Sequence, residues 1–294
     1  MIAEDTPAGL RAMLAERGIV PRRSMGQNFL IDGNILRIIL EAADPAPGEA
    51  VLEIGPGAGI LTQALLARGC RLLAVEKDRR LADWLRTRFA GVSGLTLIEG
   101  DALDLDPAEL ARRGIQKVVS NLPYGSGTRI LVRLLFAPTP PTKMVLLLQS
   151  EVAGRLAAGP GDAAYGLLSV WARWRYEPVL LRRIGPRCFL PPPEVESALV
   201  RLSRRTEGEG EPVDVEHFRA LTRWAFGQRR KQMQTLLRRM PAALGGRSGK
   251  SAAALEAAGI APASRPEDVG VGQWIRLSNR LSNDSGTRPK RAGT

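Results

Sequence analysis

The tightest constraint on this chain lies between Val51 and Thr62, where VLEI runs straight into GPGAG and then ILT. An apolar run long enough for one buried strand ends in glycine, and an apolar helical pattern begins at once. Strand, glycine turn and helix in immediate succession form half of a βαβ unit, because a hairpin would return directly to a second strand. The pattern repeats. Leu72 to Val75 reads as a second strand followed by a helix from Arg79 to Phe89. Leu95 to Ile98 reads as a third strand, Val118-Val119 ends a fourth, and Met144 to Leu148 is a fifth. The first helix, from Ile60 to Arg68, stops at Gly69, a residue suited to a helix C-terminus. Strands that alternate with helices predict an α/β domain whose parallel sheet is covered on both faces. Glu196 to Leu202 reads as a further strand after three prolines, Pro191 to Pro193.

Beyond that strand the character changes. Residues 204–212 (RRTEGEGEP) are charged and glycine-rich and read as a linker. Val215 to Met240, Ala252 to Ala258 and Gln273 to Leu281 follow helical patterns, and the polar tail from Ser282 is expected to be disordered. The expected organisation is a catalytic domain over residues 1–203, a small all-helical domain over 213–281 and a disordered tail over 282–294. Charge follows this division. The first 200 residues hold 24 Lys and Arg against 21 Asp and Glu, whereas residues 201–294 hold 18 against 9. A basic excess concentrated in the helical part draws a polyanion, most simply nucleic acid.

Several classes are disfavoured. No run of eighteen apolar residues occurs, so no membrane span is expected. The charged N-terminal stretch lacks the apolar centre of a secretion signal, which predicts a cytosolic protein. Cys70 and Cys188 are read as separate thiols rather than a disulfide. With His217 the single histidine, read as an ordinary helix residue, histidine-based metal sites and Ser-His or Cys-His pairs are disfavoured.

The glycine loop lacks the third glycine of a dinucleotide fingerprint, because Ile60 stands at the sixth position from Gly55. A compact G-x-G-x-G suits a ligand without a pyrophosphate. Glu76 ends the second strand, where a carboxylate can accept both hydroxyls of a ribose. Asp101 follows the third, where it can accept from an adenine amino group. Ligands of open α/β sheets bind at such strand ends. Either acid alone would read as a solvated loop residue. Together with Gly55 and Gly57 they describe an adenosine that need not carry phosphate, and S-adenosylmethionine fits.

The fourth strand ends in NLPYGSG, residues 121–127. Pro123 pushes Leu122 towards extended geometry, which can aim the Leu122 carbonyl beside the Asn121 side-chain oxygen. Two acceptors facing one spot match the two N–H groups of an adenine exocyclic amine. Tyr124 can stack on such a base, a contact worth roughly 1–3 kcal/mol. A proline turn with a packing tyrosine is the plainer reading of the same residues.

These stretches, together with MGQNFLIDGNIL (residues 25–36), CFLPPPEVESALVRL (188–202) and FGQRRK (226–231), resemble the ribosomal RNA adenine dimethyltransferase family, specifically the members acting on the small subunit. The resemblance implies a Rossmann-like class I methyltransferase sheet with a small C-terminal all-helical domain. It implies transfer of methyl groups from S-adenosylmethionine to N6 of two adjacent adenosines in a 3′-terminal hairpin of 16S ribosomal RNA, within an immature small ribosomal subunit. It also implies site roles. Asn28 and Leu30 would close over the methionine end of the cofactor, while Gly55, Glu76 and Asp101 would contact the cofactor, its ribose and its adenine. Asn121 would sit between cofactor and target base, and Phe189 would face Tyr124 across the flipped adenine. The chain departs from the family pattern at GSGTRI, where Arg129 takes a proline position, and at Gln234, where arginine is common.

Arg229, Arg230 and Lys231 are expected to contact RNA phosphates, which position RNA without reading its sequence. Trp224, Met233, Leu236, Leu237 and Met240 around them read as core. A monomer without a bound metal is expected. Three other readings remain. A large-subunit methylase of the erythromycin-resistance type would share fold and chemistry, although NLPY favours the small-subunit reading. A non-catalytic ribosome-assembly or transcription factor could use the same fold. A nicotinamide dehydrogenase is disfavoured by Ile60 and the missing acid-base histidine.

Overall fold

The computed structural model describes residues 6–22, 25–206, 210–246 and 251–284. In chain order the strands are β1 (Phe29–Leu30), β2 (Ala50–Ile54), β3 (Arg71–Glu76), β4 (Leu95–Glu99), β5 (Lys117–Asn121), β6 (Lys143–Gln149), β7 (Tyr176–Ile184), β8 (Phe189–Leu190) and β9 (Ser197–Arg204). The helices are α1 (Pro7–Glu16), α2 (Gly33–Ala43), α3 (Ile60–Ala67), α4 (Arg79–Arg88), α5 (Pro107–Arg112), α6 (Gly127–Leu135), α7 (Ser150–Ala157), α8 (Leu167–Arg175), α9 (Val215–Phe226), α10 (Met233–Arg238), α11 (Ser251–Ala258) and α12 (Val271–Asp284).

The chain divides into two compact units. The first, residues 1–153 and 177–204, is built on a seven-stranded sheet of order β4-β3-β2-β5-β6-β9-β7. β4, β3, β2, β5 and β6 are mutually parallel, in line with the α/β reading. β9 runs antiparallel to β6, so the sheet is mixed rather than wholly parallel. The strand order reverses at β2, which pairs with β3 on one side and with β5 on the other. Crossovers leave β2 in opposite directions from there, which opens a crevice at the carboxyl ends of β2 and β5. Gly55 and Asn121 emerge at those two ends. β2 is buried along its whole length, as a strand covered on both faces must be. Local signals set the helix starts. Asp32, Asp78 and Asp106 accept backbone N–H bonds at the starts of α2, α4 and α5. A two-stranded ladder, β1 with β8, pairs Phe29 with Leu190 and Leu30 with Phe189.

The second unit comprises residues 154–176 and 205–294. Its boundary departs from the expectation that residues 1–203 form one domain, because 154–176 cluster with the helical part. Side-chain bonds explain why. The Tyr165 hydroxyl donates to the Val269 carbonyl (3.0 Å), and Trp171 Nε1 donates to Thr222 Oγ1 (3.0 Å). Trp174 packs on Phe218, with ring centroids 5.4 Å apart. The expected helix from Val215 to Met240 is interrupted between α9 and α10. The N–H groups of Met233 and Gln234 donate to the Ser264 and Pro262 carbonyls, so α10 begins afresh against another turn. Met233, Leu236, Leu237 and Met240 are buried as expected. His217 is also buried. Its Nε2 faces the Leu244 carbonyl (3.3 Å), and its Nδ1 shares a hydrogen bond with the Ser278 hydroxyl (2.8 Å). α12 carries helix on to Asp284, past the expected limit at Leu281. Residues 285–294 of the expected tail and 207–209 of the expected linker lie outside the described residues.

Among the described residues no helix is long and apolar enough to cross a membrane, and no group of three or more His, Cys, Asp or Glu is placed to hold a metal ion. Cys70 and Cys188 are free thiols.

Candidate active site

The crevice at the β2–β5 reversal is a cleft of about 940 Å³, part of it open to solvent. The loop after β2 forms its floor. Gly57 has φ +59°, and a Cβ there would lie 2.8 Å from the Phe29 ring, so the position demands glycine twice over. Its N–H donates to Glu76 Oε2 (3.1 Å). Glu76 ends β3, buried, and its Oε1 accepts from Asp78 N–H (2.8 Å). Burial pushes the Glu76 carboxyl above its ordinary range, against the opposing pull of those two backbone bonds. Asp101, just past β4, accepts from Lys77 Nζ (2.8 Å) and Leu103 N–H (2.9 Å), and these bonds hold its carboxyl below the usual carboxylate range.

The segment from Met25 to Leu30 forms another wall of the cleft. Asn121 Nδ2 donates to the Asn28 carbonyl (2.8 Å). Gly26 lies so close to the NLPY loop that a Cβ on it would come 2.6 Å from the Tyr124 nitrogen. Gln27 Nε2 donates to Asp78 Oδ2 (3.1 Å). The segment is therefore tied both to the strand end bearing Asn121 and to the turn beyond Glu76.

Asn28, Leu30, Gly55, Gly57, Glu76, Asp101, Asn121 and Pro123 all line this one cleft, as do the unanticipated Gln27, Glu53 and Lys77. Glu53 sits within β2, buried, and its Oε2 accepts from the Thr62 hydroxyl (2.7 Å). Desolvation raises its pKa to about 8, with repulsion from Glu76 adding to the shift. Inside an apolar strand it carried no sequence signal beyond the motif around it.

Asn121 holds the least satisfied atom of the site. With Nδ2 committed to Asn28, its Oδ1 is buried without a hydrogen-bond partner among the described residues. Leu122 N–H donates to the Leu147 carbonyl (3.1 Å), but among the described residues the Leu122 carbonyl accepts nothing. The loop is then closed by Ser126 and Gly127, whose N–H groups donate to the Pro123 carbonyl (3.2 and 2.7 Å). Tyr124 is half-buried beyond the cleft lining, its hydroxyl bonded to that of Ser197. Arg129 is exposed, and its charge helps lower the Asp101 pKa.

Phe189 departs from expectation. Its ring is 1% exposed, packed with Leu30 and Ile39 in the core, and it does not line the cleft. A role opposite Tyr124 would require that ring to be uncovered.

In the helical unit Arg229, Arg230 and Lys231 lie exposed in the turn between α9 and α10. Arg229 Nε donates to Glu267 Oε2 (2.7 Å), so one of the three is already paired. Gln234 Nε2 donates to Gln232 Oε1 (3.0 Å).

The family model of ribosomal RNA adenine dimethylases matches residues 20–283. The chain belongs to that family. Within it, the ribosomal RNA small subunit methyltransferase A of Rhodopseudomonas palustris is 42% identical over 294 residues, covering 98% of this chain and 99% of the relative. The solved structure of the 23S rRNA methyltransferase ErmE is 30% identical with a TM-score of 0.63, covering 87% of this chain and 100% of that one. A dimethyladenosine transferase from Plasmodium falciparum has a TM-score of 0.75 at 22% identity, covering 87% and 98%, which shows the shared fold. Membership in the dimethylase family makes this chain a methyltransferase with a class I α/β sheet.

Proposed function

We propose that this protein transfers methyl groups from S-adenosylmethionine to N6 of two adjacent adenosines in a 3′-terminal hairpin of 16S ribosomal RNA, acting in the cytoplasm on an immature small ribosomal subunit. The observation that carries this reading is Asn121 Oδ1, buried without a hydrogen-bond partner among the described residues, with the carbonyl of the next residue, Leu122, also accepting nothing there. A buried acceptor left unpaired costs roughly 1–3 kcal/mol, so a site that maintains one is built for an incoming donor. An exocyclic amine brings two donors to two acceptors. Holding both hydrogens takes the nitrogen lone pair out of conjugation with the ring and aims it.

Bound S-adenosylmethionine supplies a methyl group activated by its sulfonium centre. The residues present fit that ligand. Gly55 and Gly57 permit close backbone approach, Glu76 accepts from the ribose hydroxyls, and Asp101 accepts from the adenine. A carboxylate offers about four lone-pair positions, so the internal bonds to Glu76 and Asp101 leave room for these donors. Asn28 and Leu30 cover the remaining end. The chain's contribution is positioning. Tyr124 provides a stacking surface for the target base. Arg230 and Lys231, joined by Arg229 when it leaves Glu267, hold RNA phosphates. Extruding a base costs a few kcal/mol, which favours a loop or an already unstacked nucleotide as substrate.

Fold and chemistry shared with ErmE leave a large-subunit target as the nearest rival. Alignment with a small-subunit methyltransferase over nearly the whole of both chains supports the small-subunit reading. The deciding experiment incubates the protein with labelled S-adenosylmethionine and either immature small subunits or protein-free large-subunit RNA, then maps the label by nucleotide. Label is expected at N6 of two neighbouring adenosines near the 3′ end of the 16S RNA. Label confined to large-subunit RNA, or none at all, would overturn the proposal.

A further inference from the structure

The Tyr124 hydroxyl shares a hydrogen bond with the Ser197 hydroxyl, across 73 positions of sequence. Ser197 is fully buried at the first position of β9, in register with Gln149 of β6. Just beside it, Ser150 N–H donates to the Glu196 carbonyl (2.9 Å). The serine is therefore fixed in the sheet, and among the described residues its side chain meets no polar group other than the tyrosine. Tyr124, by contrast, stands on the loop after β5 and is only half-buried. A stacking surface needs only a ring, which phenylalanine would supply. The hydroxyl adds an anchor. With its far end tied to a strand, the ring cannot explore other side-chain wells, so less freedom is lost when a base arrives.

We propose that Ser197 is a positioning residue for the methyl-transfer reaction, holding the Tyr124 ring in the orientation that receives the target base. This rests on the reading of Tyr124 as the stacking surface, and it adds a residue outside the cleft lining. The positioned ring belongs to the base side of the reaction. Cofactor affinity should therefore be indifferent to Ser197, while turnover on RNA should depend on it.

The test is a double-variant cycle on the full-length protein, with single-turnover rates on immature small subunits, cofactor affinity and melting temperature measured for each form. Rates are taken well below every melting temperature. Ser197→Ala and Tyr124→Phe are each expected to lower the methylation rate by about 3- to 10-fold, the scale of one hydrogen bond. Cofactor affinity should stay within about twofold of the original. The double variant should be no slower than the slower single variant, because both remove one bond. Ser197→Thr, which keeps a hydroxyl on a β-branched strand residue, should recover most of the rate. Multiplying rate losses in the double variant would show Ser197 acting apart from Tyr124 and would overturn the proposal. So would loss of cofactor affinity in parallel with rate, which marks a general structural defect. Tyr124→Ala separates the two levels of the argument. If it leaves the rate untouched, the stacking reading itself fails. If it abolishes transfer while Ser197→Ala and Tyr124→Phe behave as the original, the stacking surface stands and the role of Ser197 is refuted.

Discussion

At the Glu76 end of the cleft, each carboxylate oxygen of Glu76 and Asp101 already accepts a hydrogen bond from the protein, whereas the Asn121 side-chain oxygen and the carbonyl of the following Leu122 accept none among the described residues. The difference follows from what surrounds each group. Glu76 and Asp101 stand where the chain turns, so nearby N–H groups and Lys77 reach them. Asn121 is pinned by its nitrogen to the Asn28 carbonyl, and that bond aims its oxygen away from any donor. One end is rigid before a ligand arrives, and its internal bonds compete with ligand donors. The other end keeps an unmet demand that only a correctly placed donor can answer. Binding specificity for the first ligand and reactivity toward the second thus have separate structural sources.

The contrast breaks most sharply at Asn121. Asn121→Ala removes the orphan acceptor and also frees the Asn28 carbonyl. Single-turnover methylation is expected to fall about 100-fold, in line with losing one preorganised polar contact to a reacting group. Cofactor affinity, measured by calorimetry, should weaken far less, by about 3-fold, the scale of one modest neutral hydrogen bond. Equal losses in both quantities would mean that the two ends do not divide labour as described.

Glu76→Gln probes the opposite end. The amide preserves shape and can still accept one backbone bond, but it loses the charge and one acceptor. Charged acceptors form the stronger hydrogen bonds, so cofactor affinity should drop about 10- to 100-fold. At saturating cofactor the transfer rate should stay within about 3-fold of the original, because a loss confined to uniform binding leaves kcat unchanged. A rate that stays low at saturation would place Glu76 in the chemistry and erase the distinction.

Much of this contrast was visible in the sequence, and the reason is local. Gly55, Glu76, Asp101 and Asn121 each end or follow an apolar run short enough to be one strand, so a parallel sheet had to deliver them to one edge. What the chain does not announce depends on distant pairing. Gln27 meets Asp78 and Tyr124 meets Ser197 across 51 and 73 residues, and no pattern along the chain announces such bonds. Phe189 is expected at the base site, but the structure buries it in the apolar core cluster that also holds Leu30 and Ile39. Residues 154–176 fall within the expected catalytic domain, because nothing along the chain states which core they join. Bonds from Tyr165 and Trp171 decide that, and both partners lie beyond residue 204. The break between α9 and α10 has the same origin, since the residues that restart the helix are Pro262 and Ser264.

Glu53 sharpens the comparison through folding stability rather than through binding or rate. It borders the rigid end of the cleft, yet it sits deeper than Glu76 and Asp101, and burial raises its pKa from an ordinary 4.5 to about 8. Between those values the folded protein keeps a proton that the unfolded chain has released. Raising pH through that window therefore erodes stability, by up to about 1.4 kcal/mol per unit for this group, and the loss levels off above the folded pKa. Glu76, also shifted upward, adds a slope of the same sign. Glu53→Gln mimics the protonated form and retains an acceptor for the Thr62 hydroxyl. In ligand-free protein the variant should show a shallower fall of unfolding free energy between about pH 5 and 8, with the two proteins closest at the acid end, where Glu53 carries its proton in both states. Parallel stability curves across that range would mean that Glu53 is ionised in the folded state. The cleft floor would then be far more hydrated than its buried strand implies, and Glu53 would join Glu76 and Asp101 as a third anionic acceptor at the rigid end.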